Sequence, residues 1–193
     1  MPILVVRGKS PHISEWWALD THFAAPGRIP ADSKGRTLIG SLVFEAKFRG
    51  DSCSAFRLAG RATRALACLP QWSRALHATK LVTLPVSHQN HLVIDALAHA
   101  AVELPGIIRA SINMTWRGAP PNPTVKNLAP ALRPAAVSGA LTCPRLDNEV
   151  VLLIDDLLQT GSTVREAART LKDRGSKEVI VLVATHCPIQ AQQ

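Results

Sequence analysis

One stretch constrains the fold of this chain more than any other. Residues 149–154 form a near-continuous apolar run, followed at once by Asp155 and Asp156. A short loop then carries Gln159, Thr160, Gly161, Ser162 and Thr163. Val164, Ala167, Ala168 and Leu171 repeat at helical spacing up to Gly175, and residues 178–184 are again a near-continuous apolar run. A doubly apolar run of this kind is a strand buried on both faces, as in parallel sheets. Two such strands joined by an amphipathic helix predict a right-handed crossover in an α/β domain. The spacing predicts the first strand to end at the acids and the helix to span 162–174, with Gly175 as its stop.

The same stretch carries chemistry. In an open α/β sheet, ligands bind at the carboxyl ends of strands. Backbone N–H groups of a small-residue loop opening a helix suit a phosphate dianion. Gly161 permits the close approach, and Thr160, Ser162 and Thr163 add hydroxyl donors. Asp155 and Asp156 are acceptors for vicinal sugar hydroxyls. A ligand with a phosphate at one end and a diol nearby is a ribose 5-phosphate.

Elsewhere the elements are simpler. Residues 38–48 read as a helix stopped near Gly50, and a second helix, capped by Asp51 or Ser52, runs to Leu69. Arg57, Arg61 and Arg64 share one face of it, read as solvated. Residues 80–86 and 107–114 read as strands around a helix at 90–103. The stretch 115–134 holds five prolines and reads as a lid. Residues 1–36 are irregular and form the candidate hood lobe, with 37–193 as the core. Adjacent Trp16 and Trp17 suit packing, with stacking on a planar base as the alternative.

Composition narrows the class. The chain has 193 residues, 47% of them hydrophobic, with 22 Lys and Arg against 14 Asp and Glu, a net charge of +8. Basic residues are spread along the chain, so phosphorylated metabolites are as good a partner as nucleic acid. Cys53, Cys68, Cys143 and Cys187 include no Cys-x-x-Cys pair, which argues against structural zinc and for free thiols in a reducing cytosol. No apolar run is long enough to span a bilayer, and residues 2–6 are too short for a secretory leader. The expectation is a soluble cytoplasmic protein.

The 151–163 segment resembles the phosphoribosyl pyrophosphate signature of type I phosphoribosyltransferases: an apolar run, two acids, two aliphatics and a Thr-Gly-x-Thr loop. Gln159 departs from the family's small residue at that position. Further likeness is to the ComF-like, amidophosphoribosyltransferase-related group. Phe44-Glu-Ala-Lys-Phe-Arg-Gly-Asp51 resembles its Lys-Tyr-Arg-Gly-Asp segment, with Lys47 and Arg49 read as structural or supporting. Residues 81–87 resemble its strand into the pyrophosphate loop, and 116–123 its proline-bearing flexible loop, with Arg133 a basic residue downstream.

The resemblance implies a central, mainly parallel sheet flanked by helices, with a small N-terminal hood. It implies Asp155 and Asp156 at the ribose and Gln159 to Thr163 at the 5′-phosphate. Pro85, Val86, Ser87 and His88 fall at the pyrophosphate, and Arg117 and Lys126 on the mobile loop. Mg²⁺ is the implied cofactor, touching Asp155 and Asp156 directly or through ribose hydroxyls and water. The implied reaction is transfer of a phosphoribosyl group to a nitrogen nucleophile, with release of pyrophosphate. A ligand sensor without turnover and a DNA-handling role are the alternatives. Partners implied are phosphoribosyl pyrophosphate and a small acceptor, with a homodimer also open. His88 and His91, three apart, are read as ordinary loop residues rather than a metal pair.

Overall fold

In the computed structural model, residues 4–5, 12–69, 73–85, 91–103, 110–118, 128–129 and 131–187 are described. In chain order they form β1 (Leu4–Val5), β2 (Glu15–Thr21), α1 (Leu38–Arg49), α2 (Ser52–Ala67), a 3-10 turn (Arg74–His77), β3 (Lys80–Thr83), α3 (Leu92–Val102) and β4 (Ala110–Asn113). There follow β5 (Thr115–Trp116), α4 (Arg133–Val137), β6 (Leu141–Thr142), β7 (Val150–Leu158), α5 (Ser162–Asp173) and β8 (Glu178–His186).

The main sheet has the order β1-β2-β8-β7-β3-β4, with β1 antiparallel at one edge and the other five strands parallel. Side chains alternate across β7 and β8, so each strand feeds two cores. Leu152, Ile154, Ile180 and Leu182 pack under α1, α2 and α3. Val151, Leu153, Val179 and Val181 pack under α5, together with Val164, Ala167, Ala168 and Leu171. The α/β architecture and the crossover are as expected. Among the described residues, no helix is long and apolar enough to cross a membrane.

The N-terminal segment departs from expectation. Glu15–Thr21 is not part of a separate hood but a strand of the main sheet, with Trp17 opposite Leu182 on β8. The reason is burial on both faces: Trp17 joins the core under α1 to α3, and Trp16 the core on the α5 side. Trp16 also meets His186 edge-on, ring centres 5.1 Å apart. The tryptophans are 7% and 1% exposed, so neither offers a face to a base. The strand covers the edge of β8. Among the described residues of the N-terminal segment, 22–36 lie beyond the carboxyl end of β2, and they lead into α1.

That junction is tight. Thr37 caps α1, accepting from Gly40 N–H at 3.0 Å and donating its hydroxyl to Thr21 O at 2.6 Å. Gly40 lies against the His22 carbonyl, where a β-carbon would stand 2.1 Å from the oxygen. Helix α1 is thereby pinned to the end of β2. It stops at Gly50, as the sequence indicates, and Asp51 caps α2 through the N–H groups of Cys53 and Ser54.

Candidate functional site

The crossovers locate the site. The β3–α3–β4 connection leaves over one face of the sheet and moves away from β7. The β7–α5–β8 connection leaves over the other face and moves away from β3. Neighbouring strands β3 and β7 therefore send their chains in opposite directions, which opens a crevice at their carboxyl ends. Thr83 pairs with Ile154, and Leu84 N–H donates to Ile154 O at 3.1 Å. Pro85 thus leaves β3 beside the acidic pair on β7. The other residues assigned to the pyrophosphate, Val86, Ser87 and His88, lie outside the described residues, as does Lys126.

The acids do not end their strand. β7 runs on to Leu158 because β8 runs on beside it: Leu157 pairs with Thr185, Leu158 with His186, and Cys187 N–H donates to Leu158 O at 2.9 Å. Among the described residues, the β3 side has no ladder beyond Ile154, so both acids sit at that crevice while still in extended backbone. Alternation then sends them apart. Asp155 falls on the α5 face and Asp156 on the α1–α3 face. Asp156 N–H donates to Asp155 Oδ1 at 2.8 Å. Asp156 Oδ2 accepts from the ammonium of Lys47, across the sheet–helix boundary. Both side chains are mostly buried, at 14% and 17% exposure.

His22 lies in the field of the same group. Burial lowers its pKa most, Arg36 and Lys47 lower it further, and Asp156 opposes them. The imidazole is therefore neutral at physiological pH, with Nδ1 3.2 Å from Thr185 Oγ1.

The loop after β7 has the conformation a phosphate needs. Gly161 has φ 69°, a left-handed backbone that favours glycine, and directly precedes α5. A β-carbon there would also meet Leu158 at 3.3 Å and the Arg165 guanidinium at 3.2 Å. Thr160 and Ser162 hydroxyls are 3.1 Å apart. Thr163 stands in the first turn of the helix. Gln159 is exposed, and its Oε1 accepts from Arg133 Nη1 at 3.4 Å. Arg133 is in turn steadied by Leu128 O, at 3.0 Å from Nε. The structure thus draws Asp155, Asp156, the 159–163 loop, Pro85 and Arg133 together. Lys47, which the Lys-x-Arg-Gly-Asp likeness marks as structural or supporting, joins them, as does Arg165, to which no local pattern in the sequence points.

Other candidates are used elsewhere. Arg117 Nε donates to Leu141 O at 3.2 Å, bracing the β5–β6 hairpin. Arg49 pairs with Glu45 at 3.0 Å on the surface of α1. His91 is exposed at the start of α3, and its proposed companion His88 lies outside the described residues. The four cysteines are free; Cys143 is buried, which pushes its thiol pKa up. Among the described residues, no three His, Cys, Asp or Glu side chains converge as a metal cage. Among the described residues, the acids at this crevice are Asp155 and Asp156. That fits an ion carried largely by substrate phosphates and water.

A 49-residue segment is 43% identical to the bifunctional protein PyrR of Herpetosiphon aurantiacus, covering 25% of this chain and 28% of that protein. The chain therefore matches less than a third of that relative's length. Similar solved structures include a purine phosphoribosyltransferase from Pyrococcus horikoshii, with TM-score 0.40 and 16% identity over 69% of this chain and 87% of that one. Another is the hypoxanthine-guanine phosphoribosyl transferase of L. donovani, with TM-score 0.40 and 11% identity over 68% and 67% of the two chains. Residues 91–191, about half of the chain, match the family model described as phosphoribosyl transferase domain. The chain belongs to the phosphoribosyl transferase domain family.

Proposed function

We propose that this protein binds phosphoribosyl pyrophosphate with Mg²⁺ and transfers the phosphoribosyl group to a nitrogen nucleophile such as a nucleobase, releasing pyrophosphate. One observation carries the reading. An acidic pair and a left-handed glycine loop lie on a single strand–loop–helix unit, at the switch point of a parallel sheet.

The division of labour follows from the chemistry. N–H groups at the start of α5 and the hydroxyls of Thr160, Ser162 and Thr163 hold the 5′-phosphate. Asp155 and Asp156 accept from the ribose hydroxyls and favour the positive charge that develops on the sugar as pyrophosphate departs. Pro85, Val86, Ser87 and His88 border the departing pyrophosphate. When bound, Mg²⁺ neutralises the leaving group's charge. The segment 115–134, with Lys126, excludes water from the donor, and Arg117 braces the β5–β6 hairpin at its start. The Phe44–Asp51 likeness supports a ComF-like reading of the subgroup.

Ligand binding without turnover is the second reading. Gln159 favours it, because a large amide occupied by Arg133 stands where the signature has a small residue. Pyrophosphate release, followed while nucleobases and other amines are added one at a time, separates the two. Release with one acceptor, abolished in Asp155→Ala/Asp156→Ala, supports the transferase. Tight donor binding with no release for any acceptor supports the sensor.

A further inference from the structure

The geometry points to Lys47 as a positioning residue for the donor site: its ammonium fixes one oxygen of Asp156 and thereby aims the other at the ribose diol. This rests on the phosphoribosyl reading of the site given above.

The argument begins with alternation. Asp155 and Asp156 are adjacent in an extended strand, so their carboxylates leave opposite faces of the sheet. Asp156 enters the side on which α1, α2 and α3 pack, where its apolar strand-mates Leu152 and Ile154 belong to the core. A carboxylate that is 14% exposed at the margin of such a core needs a cation. Lys47 supplies it from the last turn of α1, on a side chain itself 17% exposed. The pair joins Lys47 Nζ to Asp156 Oδ2 only. Among the described residues, Oδ1 accepts no hydrogen bond, so its lone pairs are left with a fixed direction and no partner.

The delivery of Lys47 is equally determined. Thr37 and Gly40 lock the start of α1 to the end of β2. The Arg36 guanidinium lies over the Phe44 ring at 3.8 Å, and the Lys47 ammonium stands 5.7 Å from the Phe48 ring. The helix cannot shift along its axis without breaking the contacts of Thr37 with Thr21, of Gly40 with His22 and of Phe44 with Arg36. Lys47 lies outside residues 91–191, which match the family model. The N-terminal half of this chain thus supplies a part of the site that the matched half does not contain.

The consequence is selective. Lys47 acts on the diol through Asp156, whereas the phosphate loop opens α5 on the other side of β7's end. Losing Lys47 weakens any ligand that uses Asp156 and spares any ligand held by the loop alone.

The test is a thermodynamic cycle on the full chain. Dissociation constants for ribose 5-phosphate and for inorganic phosphate are measured for wild type, Lys47→Met, Lys47→Arg, Asp156→Asn and Lys47→Met/Asp156→Asn. Lys47→Met weakens ribose 5-phosphate about tenfold, the scale of one hydrogen bond to a charged group, and Lys47→Arg recovers most of that loss. The inorganic phosphate constant stays unchanged in both. The double variant is no weaker than Asp156→Asn alone, since the lysine has nothing left to position. Additive losses in the double variant overturn the proposal, as does an equal loss for inorganic phosphate, which marks a general structural effect. Failure of wild type to bind ribose 5-phosphate overturns the underlying reading of the site. Binding by wild type with no effect of Lys47→Met overturns the positioning role alone.

Discussion

Lys47 and Asp156 are 109 positions apart and meet as an ion pair between the last turn of α1 and the carboxyl end of β7. The contact ties the N-terminal half of the chain to the strand that carries the acidic pair. It also divides the acids: Asp156 is held on the helix α1 side, while Asp155 lies on the α5 side of the same strand.

The phosphate loop depends on the backbone at Gly161. At φ 69° any side chain is strained, and a β-carbon would also press on Leu158 and Arg165. Gly161→Ala should cost about 1–2 kcal/mol for the left-handed conformation. If the loop holds the 5′-phosphate, the same change weakens inorganic phosphate and ribose 5-phosphate by similar factors. A titration showing loss of ribose 5-phosphate alone would contradict a phosphate role for this loop.

The junction between β2 and α1 should be intolerant of a single methyl group. Gly40→Ala places a β-carbon 2.1 Å from the His22 carbonyl oxygen, so the helix must retreat from the sheet. The expected loss is about 1–3 kcal/mol in chemical denaturation. Because α1 carries Lys47, ribose 5-phosphate binding should weaken as well. Full stability in Gly40→Ala would show that the helix sits further from β2 than described.

Much of this was legible in the sequence, and the limits have physical causes. The unit from β7 to β8 announces itself because two apolar runs and an amphipathic helix lie side by side in the chain. Helix α1 and its stop at Gly50, and the Asp51 cap of α2, follow from local signals alone. Strand β2 gives no local signal as a strand, because its pairing partner β8 is far along the chain and its two tryptophans suit several environments. The strand end was set too early, at the acids, because the support for Leu157 and Leu158 comes from Thr185 and His186 rather than from their neighbours. The Lys-x-Arg-Gly-Asp likeness marks Lys47 as structural or supporting, but its pairing with Asp156 has no local signature, because the pairing depends on where α1 is placed.

Glu166 gives a pH signature. It is 7% exposed, receives both Nε and Nη2 of Arg169 at 2.9 and 2.7 Å, and accepts from Gly139 N–H at 2.7 Å. The Arg169 hydrogen bonds lower its pKa most, burial opposes them, and Gly139 adds to the lowering. A carboxyl depressed in the fold stabilises at pH values above its ordinary range. That stability is lost as pH falls through the folded value. Glu166→Gln should therefore be less stable than wild type by about 1–3 kcal/mol at neutral pH. The gap should close on acidification. Denaturation at a series of pH values checks this, and a gap that stays constant into acid would refute it.

The contact of Arg133 with Gln159 sets a further expectation. If the guanidinium serves the phosphate loop, Arg133→Ala weakens inorganic phosphate several-fold, with a flatter salt dependence because one cation is gone. Gln159→Ala leaves Arg133 in reach of the loop and changes binding little. Equal losses in the two variants would instead mean that Gln159 itself holds the ligand.

The central claim is that the acidic pair and the loop after β7 form a phosphoribosyl pyrophosphate site. Calorimetric titration of the full chain with phosphoribosyl pyrophosphate and Mg²⁺ tests it most directly. Saturable binding by wild type, lost in Asp155→Ala/Asp156→Ala while the fold melts as before, is the predicted result. No binding by wild type, or binding that the double substitution leaves unchanged, would contradict it.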